Sequence, residues 1–131
     1  MRVKICAAVI GIASAAALVG SAAAQMAMPD ASAPDGAKLF KNQCATCHTL
    51  HASEPKRQGP TLEGVVGRKA GSVADYQYSA GFAQADWTWD EAHLDPWLTN
   101  PQAVIAGSKM VYKQAKPEVR KAIIDYLKDP H

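Results

Sequence analysis

Hydrophobic residues recur at helical spacing towards both ends of the 131-residue chain. Near the start, Asp35 suits the N-cap of a helix, and the residues that follow it include the apolar Ala37, Leu39 and Phe40. Near the end, Pro117 suits a first helical turn, and the apolar residues after it repeat with the same period, at Val119, Ile123, Tyr126 and Leu127. Each pattern predicts a helix that buries one face.

A further helix is predicted from Asp90 to Leu98. Asn100-Pro101 should stop it, because the residue before a proline disfavours helical backbone. The residues around positions 43–51 show no strand-like alternation of apolar and polar side chains. We therefore expect an all-α domain.

The first 24 residues are expected to be a cleaved export signal. A basic start is followed by an uncharged apolar run, residues 5–24, which ends in an Ala-x-Ala processing site before Gln25. The alternative is a retained membrane anchor, since about 20 apolar residues can cross a bilayer. Abundant Ala and Gly and the lack of a basic flank favour cleavage. Residues 25–34 would then be a flexible segment, and residues 35–131 the folded domain.

Removal of the signal changes the charge balance of the chain. The full sequence carries 14 basic and 12 acidic side chains, and the signal takes Arg2 and Lys4 with it, so the remaining 107 residues are formally neutral. A nucleic-acid-binding domain would need a strongly basic balance, so no nucleic-acid partner is expected. The length fits a single domain.

Two cysteines and a histidine lie close together in the stretch "QCATCHTLH", residues 43–51. A disulfide between Cys44 and Cys47 would close a very small ring and stabilise little. A thioredoxin-like redox pair would need a βαβ pattern around it. A zinc site would need a second pair of ligands, whereas the remaining histidines of the domain are scattered, at His51, His93 and His131.

The spacing Cys-x-x-Cys-His is instead the signature of covalent haem attachment. Two thioethers from Cys44 and Cys47 can reach the two vinyl groups on one edge of a porphyrin, and the imidazole of His48 then falls under the iron. We expect one haem c.

The sixth ligand of the iron decides between ligand binding and electron transfer, because a second strong ligand closes the site. Met26 and Met28 lie near the start of the mature chain, whereas Met110 lies in a loop-like stretch that contains Gly107. A thioether is a soft, neutral ligand suited to haem iron. A methionine that only fills a gap in the core is the alternative, but the haem creates a demand for a ligand, so Met110 is the candidate.

The sequence resembles the class I cytochromes c from about Gly36 to Leu127. The stretches that carry the resemblance occur in order: "GAKLFKNQCATCHT", "GPTLEGVVGRKAG", "YQYS", "WTW", "LTNP", "GSKM" and "IIDYLK". The resemblance implies three main helices, with short helices and loops, wrapped around one covalently bound haem. It also implies that the first and last helices cross, with Gly36 and Phe40 against Ile123 and Tyr126.

The same resemblance assigns residues around the haem. It implies that the carbonyl of Pro60 accepts the second ring N–H of His48, and that three side chains donate to the haem propionates: Arg68, Tyr78 and Trp89. Trp97 stands where mitochondrial members have a tyrosine beside the methionine ligand. Since an indole donates and cannot accept, the polar network around the ligand should differ here.

These inferences predict a periplasmic one-electron carrier that is not an enzyme and acts as a monomer. An organellar protein would act in the intermembrane space, but the Ala-rich signal favours a bacterial periplasm. Its partners would be a cytochrome bc complex, a terminal oxidase or a photosynthetic reaction centre, met in transient docking at a membrane protein. A basic face would steer that docking, formed by Lys56, Arg57, Lys109, Lys113 and Lys116.

Two other functions compete with this interpretation. The first is a haem subunit that accepts electrons within a stable periplasmic dehydrogenase complex, which would need a large apolar interface. The second is a binder of small ligands or a peroxidase, which would need Met110 to be absent from the iron.

Overall fold

The computed structural model of the protein describes residues 33–131. This part contains no strand beyond one isolated antiparallel bridge between Lys69 and Thr88. Its elements in chain order are α1 (Gly36–Gln43), a 3₁₀ turn (Ala80–Gln84), α2 (Glu91–Thr99), α3 (Pro101–Val104) and α4 (Pro117–Lys128). The prediction of an all-α fold with three main helices is therefore confirmed.

Some of the predictions fall on residues outside this range. The export signal of residues 1–24 and the candidate ligands Met26 and Met28 lie outside the described residues, as does most of the segment 25–34. Within residues 33–131, no helix combines the length and the apolar composition that crossing a bilayer requires.

The helix ends follow the capping residues that the sequence provides. The side chain of Asp35 accepts a hydrogen bond from the backbone N–H of Lys38 at 3.0 Å, and Asp90 does the same for His93 at 2.9 Å. Helix α2 ends at Thr99, one residue after the predicted Leu98 and before the predicted stop at Asn100-Pro101, but Pro101 then opens the short helix α3. The fixed φ of proline suits a first helical position, so one residue both blocks the preceding helix and starts the next.

Helices α1 and α4 cross at a glycine. A Cβ on Gly36 would overlap the carbonyl oxygen of Ala122 and lie 2.7 Å from the Cβ of Tyr126. One turn further along α1, the ring of Phe40 lies 5.8 Å from the ring of Tyr126, and Ile123 is fully buried between the helices and the rest of the core. The close approach that the resemblance implied is therefore present.

Helices α2 and α4 are joined by a partly buried ion pair. Arg120 of α4 donates through Nε to Asp95 of α2 at 2.7 Å and through Nη2 at 3.3 Å. Its Nη1 donates to the backbone carbonyls of Gln114 and Ala115, both at 3.0 Å. Arg120 thus ties the segment that leads into α4 to two helices at once.

Candidate functional site

The Cys-x-x-Cys-His stretch forms one tight turn at the end of α1. Cys44 is the C-cap of the helix, and the backbone N–H groups of Cys47 and His48 both donate to its carbonyl at 3.0 Å. The turn places both thiols and the imidazole on one wall of the same cavity, and the two sulfurs are not joined to each other. Burial, with a smaller contribution from Cys47, raises the pKa of the Cys44 thiol to about 11.

The ring of His48 is held in a single tautomer. Its Nδ1 lies 2.8 Å from the carbonyl oxygen of Pro60, and since a carbonyl can only accept, Nδ1 carries the proton. The Nε2 lone pair is therefore available to a metal ion. Burial lowers the pKa of His48, partly offset by the bond to Pro60, and this favours the neutral imidazole that a metal ligand requires.

The segment that carries Pro60 is fastened beside the histidine by backbone hydrogen bonds. Gly59 donates to the carbonyl of Cys47 at 2.7 Å, and Leu62 donates to that of Thr49 at 2.8 Å. A Cβ on Gly59 would overlap the Cε1 atom of His48 and lie 2.7 Å from its Nδ1. Only glycine lets the chain pass this close to the imidazole.

A cavity of about 570 Å³ brings the predicted haem residues together. Its volume falls within the range of about 300–1,000 Å³ typical of cofactor and ligand sites. All nine side chains assigned to haem attachment, iron ligation and the surrounding shell line it: Cys44, Cys47, His48, Pro60, Arg68, Tyr78, Trp89, Trp97 and Met110. The structure thus assembles one site from segments spread over most of the described chain.

Arg68 and Trp89 reach the cavity side by side because their backbones pair. Trp89 donates to the carbonyl of Arg68 at 2.9 Å, and Gly67 donates to that of Trp89 at 2.7 Å. The Arg68 guanidinium also donates to the backbone carbonyls of Thr61, at 2.8 Å, and Glu63, at 2.5 Å. Burial lowers the pKa of Arg68, with Tyr78 and Glu63 opposing the shift, but an arginine stays charged at neutral pH. A positive charge therefore faces the cavity.

Two hydroxyl groups line the same region. The Tyr78 hydroxyl accepts a hydrogen bond from the backbone of Val73 at 3.4 Å, and burial raises the pKa of this phenol, which therefore keeps its proton. The hydroxyl of Ser79 lines the cavity, is buried and has no hydrogen-bond partner among the described residues. Buried hydroxyls without partners are rare, so Ser79 fits a ligand that supplies an acceptor. The sequence carried no signal for Ser79 beyond its position next to Tyr78.

Trp97 forms an apolar part of the wall. It is 8% exposed, its ring lies 5.5 Å from Phe82 in an edge-on arrangement, and it lies 5.3 Å from Trp89. The polar contacts to the backbone of Met110 come instead from Ser108 and Gln102. The sequence did not single out either residue.

A second unpredicted contact joins the segment after Met110 to α1. The Tyr112 hydroxyl donates to Oε1 of Gln43 at 2.6 Å, and the amide of Gln114 lies 3.3 Å from the same oxygen. Both Tyr112 and Gln43 line the cavity. This contact therefore holds the segment after Met110 against the end of α1, next to Cys44.

The five basic residues predicted to form a docking face lie in different settings. Lys109 lines the cavity, and its ammonium donates to the carbonyl of Gln77 at 2.6 Å. Lys113 is exposed and makes no salt bridge among the described residues.

The other three residues do not line the cavity. Lys56 pairs with Asp75 at 3.0 Å, and Arg57 lies 3.8 Å from Glu54. Lys116 lines a separate open groove beside α4. Of the five, only Lys109 lines the cavity.

Taken together, the side chains of the cavity fit a haem. A neutral imidazole with a free Nε2, a thioether and two thiols supply the ligands and attachment points, and an arginine with an unpartnered hydroxyl can compensate two propionates. Among residues 33–131, no three His, Cys, Asp or Glu side chains cluster as they would around a bound metal ion.

Most of the chain is similar in sequence to known proteins. The family model for cytochrome c matches residues 33–129. The chain is 39% identical over 102 residues to cytochrome c of Nigella damascena, covering 77% of this chain and 92% of the relative. It is 42% identical over 103 residues to cytochrome c of Theileria parva, covering 78% and 89%, and 42% identical over 94 residues to that of Ginkgo biloba, covering 71% and 83%.

Proposed function

The chain belongs to the cytochrome c family, whose members bind one covalent haem c and carry electrons, and we propose that it is a periplasmic one-electron carrier with His48 and Met110 as axial ligands. The observation that supports this most directly is that both ligands and both attachment cysteines line one cavity. The bound haem supplies the chemistry by cycling between its ferric and ferrous states.

Each residue of the cavity has a distinct task in this proposal. Cys44 and Cys47 fix the cofactor, while the hydrogen bond to Pro60 orients His48 and raises its basicity. Met110 would supply the second ligand to the iron, which would leave no position there for a substrate. Arg68 and Ser79 offset the negative propionates, which an apolar wall would otherwise disfavour.

The surface around Met110 favours a transient carrier over a subunit of a stable dehydrogenase complex. Val111 is 81% exposed, and it is the one large hydrophobic side chain so exposed within residues 33–131. A permanent interface would need an extensive apolar patch. A single apolar residue beside Lys109 and Lys113 suits brief docking against an acidic partner.

The proposed location comes from the sequence of the first 24 residues, with an Ala-rich run that ends in a processing site. Fractionation of the native host, with mass determination of the purified protein, tests it. A chain that begins at Gln25 in the periplasmic fraction supports the proposal, whereas a full-length chain in the membrane fraction would replace it with the anchored form.

Docking to a cytochrome bc complex, a terminal oxidase or a photosynthetic reaction centre is proposed to use Lys109 and Lys113. Lys113→Glu should slow electron transfer with such a partner and weaken the dependence of the rate on ionic strength. Lys116→Glu is the matched control, since it makes the same charge change beside a different groove. Equal effects of the two variants would show that net charge, and not this face, governs docking.

The axial assignment is tested by the optical spectrum of the ferric protein. Wild type should show the weak far-red band of a methionine-ligated ferric haem, and Met110→Ala should lose it. Met26→Ala and Met28→Ala are controls that should keep the band. If Met110→Ala keeps the band, or either control loses it, the proposed ligand is wrong.

A further inference from the structure

The side chain of Gln102 makes three hydrogen bonds to the loop that carries Met110. From α3, its Oε1 accepts the backbone N–H of Gly107 at 3.2 Å. Its Nε2 donates to the carbonyl of Met110 at 3.2 Å and also to the carbonyl of Ser108. One half-buried carboxamide thus holds the first and last residues of the loop 107–110.

Few other hydrogen bonds hold the loop 107–110 in place. The backbone N–H of Met110 donates to the Ser108 hydroxyl at 3.2 Å, and Ser108 donates to the carbonyl of Ile105 at 3.1 Å, so both contacts are local. Gly107 adopts φ 77°, a conformation that other residues rarely take. Beyond Met110, the side chain of Val111 is 81% exposed and contributes little packing. The ammonium of Lys109 also donates to a group outside the loop, the carbonyl of Gln77, at 2.6 Å, but it is Gln102 that bonds to the backbone of Met110 itself.

We propose that Gln102 is a positioning residue for Met110: its carboxamide holds the loop closed and so sets how easily the thioether leaves the iron to an external ligand. This inference rests on the proposed axial role of Met110. A ligand such as imidazole can bind only when the loop has opened, so its apparent affinity equals its intrinsic affinity multiplied by the open fraction. Anything that loosens the loop tightens apparent imidazole binding.

Gln102→Glu is the sharpest test because it replaces one nitrogen by an oxygen and changes almost no volume. The variant keeps an oxygen for the N–H of Gly107, but it loses both donations and sets a carboxylate against two carbonyl oxygens. A net hydrogen bond is worth roughly 0.5–1.5 kcal/mol, so the loss of two corresponds to imidazole binding that is about fivefold to 150-fold tighter. Gln102→Ala, which removes all three bonds, should act in the same direction.

Two controls separate positioning from general effects. Gln84→Glu makes the same charge change at an exposed residue of the 3₁₀ turn, and it should leave imidazole binding unchanged. Gly36→Ala should lower the free energy of unfolding at the crossing of α1 and α4, and it too should leave imidazole binding unchanged. Loss of stability alone would therefore not reproduce the expected result.

The experiment titrates the ferric holoprotein with imidazole and follows the far-red band. Tighter binding in both Gln102 variants, with unchanged binding in both controls, is the expected result. A wild type that shows the band, together with Gln102 variants that bind imidazole as wild type does, would overturn this inference alone. A wild type without the band would overturn the assignment of Met110, and this inference with it.

Discussion

The ion pair between Asp95 and Arg120 should respond unequally to the loss of its two partners. Removing Asp95 leaves a guanidinium whose side chain is 11% exposed, with two of its nitrogens unpaired, whereas removing Arg120 leaves a carboxylate that is 45% exposed and can regain water. Breaking a buried pair at one partner costs roughly 3–5 kcal/mol when the remaining charge stays buried. Alanine in α2 recovers about 0.5 kcal/mol of helix propensity, so Asp95→Ala should lower the free energy of unfolding by about 3–4 kcal/mol.

Arg120→Met keeps an unbranched apolar stem and removes the guanidinium with its charge. Its main cost is the loss of donors to the carbonyls of Gln114 and Ala115, at about 1 kcal/mol each, because the freed carboxylate of Asp95 is solvated. We expect Arg120→Met to lower the free energy of unfolding by about 2 kcal/mol. Denaturant unfolding of the holoprotein, followed by far-ultraviolet circular dichroism, gives both values and that of the double variant. If Arg120→Met costs as much as Asp95→Ala or more, the reasoning from exposure is wrong.

Three further predictions follow from local geometry. Gly59→Ala should force the ring of His48 away from Pro60, cost about 1–3 kcal/mol and shift the reduction potential measured by a redox titration. Tyr112→Phe should lower the free energy of unfolding by about 1 kcal/mol through the lost bond to Gln43, whereas Tyr126→Phe, whose hydroxyl has no partner among the described residues, should not. The pKa of Asp90 is lowered by a hydrogen bond from the His93 side chain and, to a smaller extent, by one from the His93 backbone. The ionised Asp90 side chain therefore stabilises α2 above about pH 4, and this stabilisation is lost on further acidification. Urea unfolding should therefore separate wild type from Asp90→Ala at pH 7, with the difference shrinking in acid.

The features that the sequence predicted correctly depend on local spacing. The turn that presents Cys44, Cys47 and His48 needs only five residues, and the caps at Asp35 and Asp90 need only the helix that follows them. Met110 could be singled out because haem chemistry asks for a soft neutral ligand and few methionines were available.

The features that the sequence missed depend on contacts between distant segments. Tyr112 bonds to Gln43 across 69 positions of the chain, and no local pattern encodes such a pair. Gln102 and Ser79 are ordinary polar residues until the fold shows what surrounds them. Lys116 is a residue that the sequence did single out, because of its charge. The path of the chain nevertheless places it along a different groove from the one that holds Met110.

The cavity also has a consequence for how the cell makes this protein. Leaving about 570 Å³ unfilled by haem would deprive the surrounding side chains of packing contacts and destabilise a domain whose net stability is typically about 5–15 kcal/mol. Val65 and Leu98 belong to the buried core and also line the cavity, so a bound haem would pack against them. We therefore expect newly made chains to mature only as fast as haem is delivered to them, with the remainder lost to proteolysis. Haem supply, rather than the rate of translation, would then set the size of the working pool.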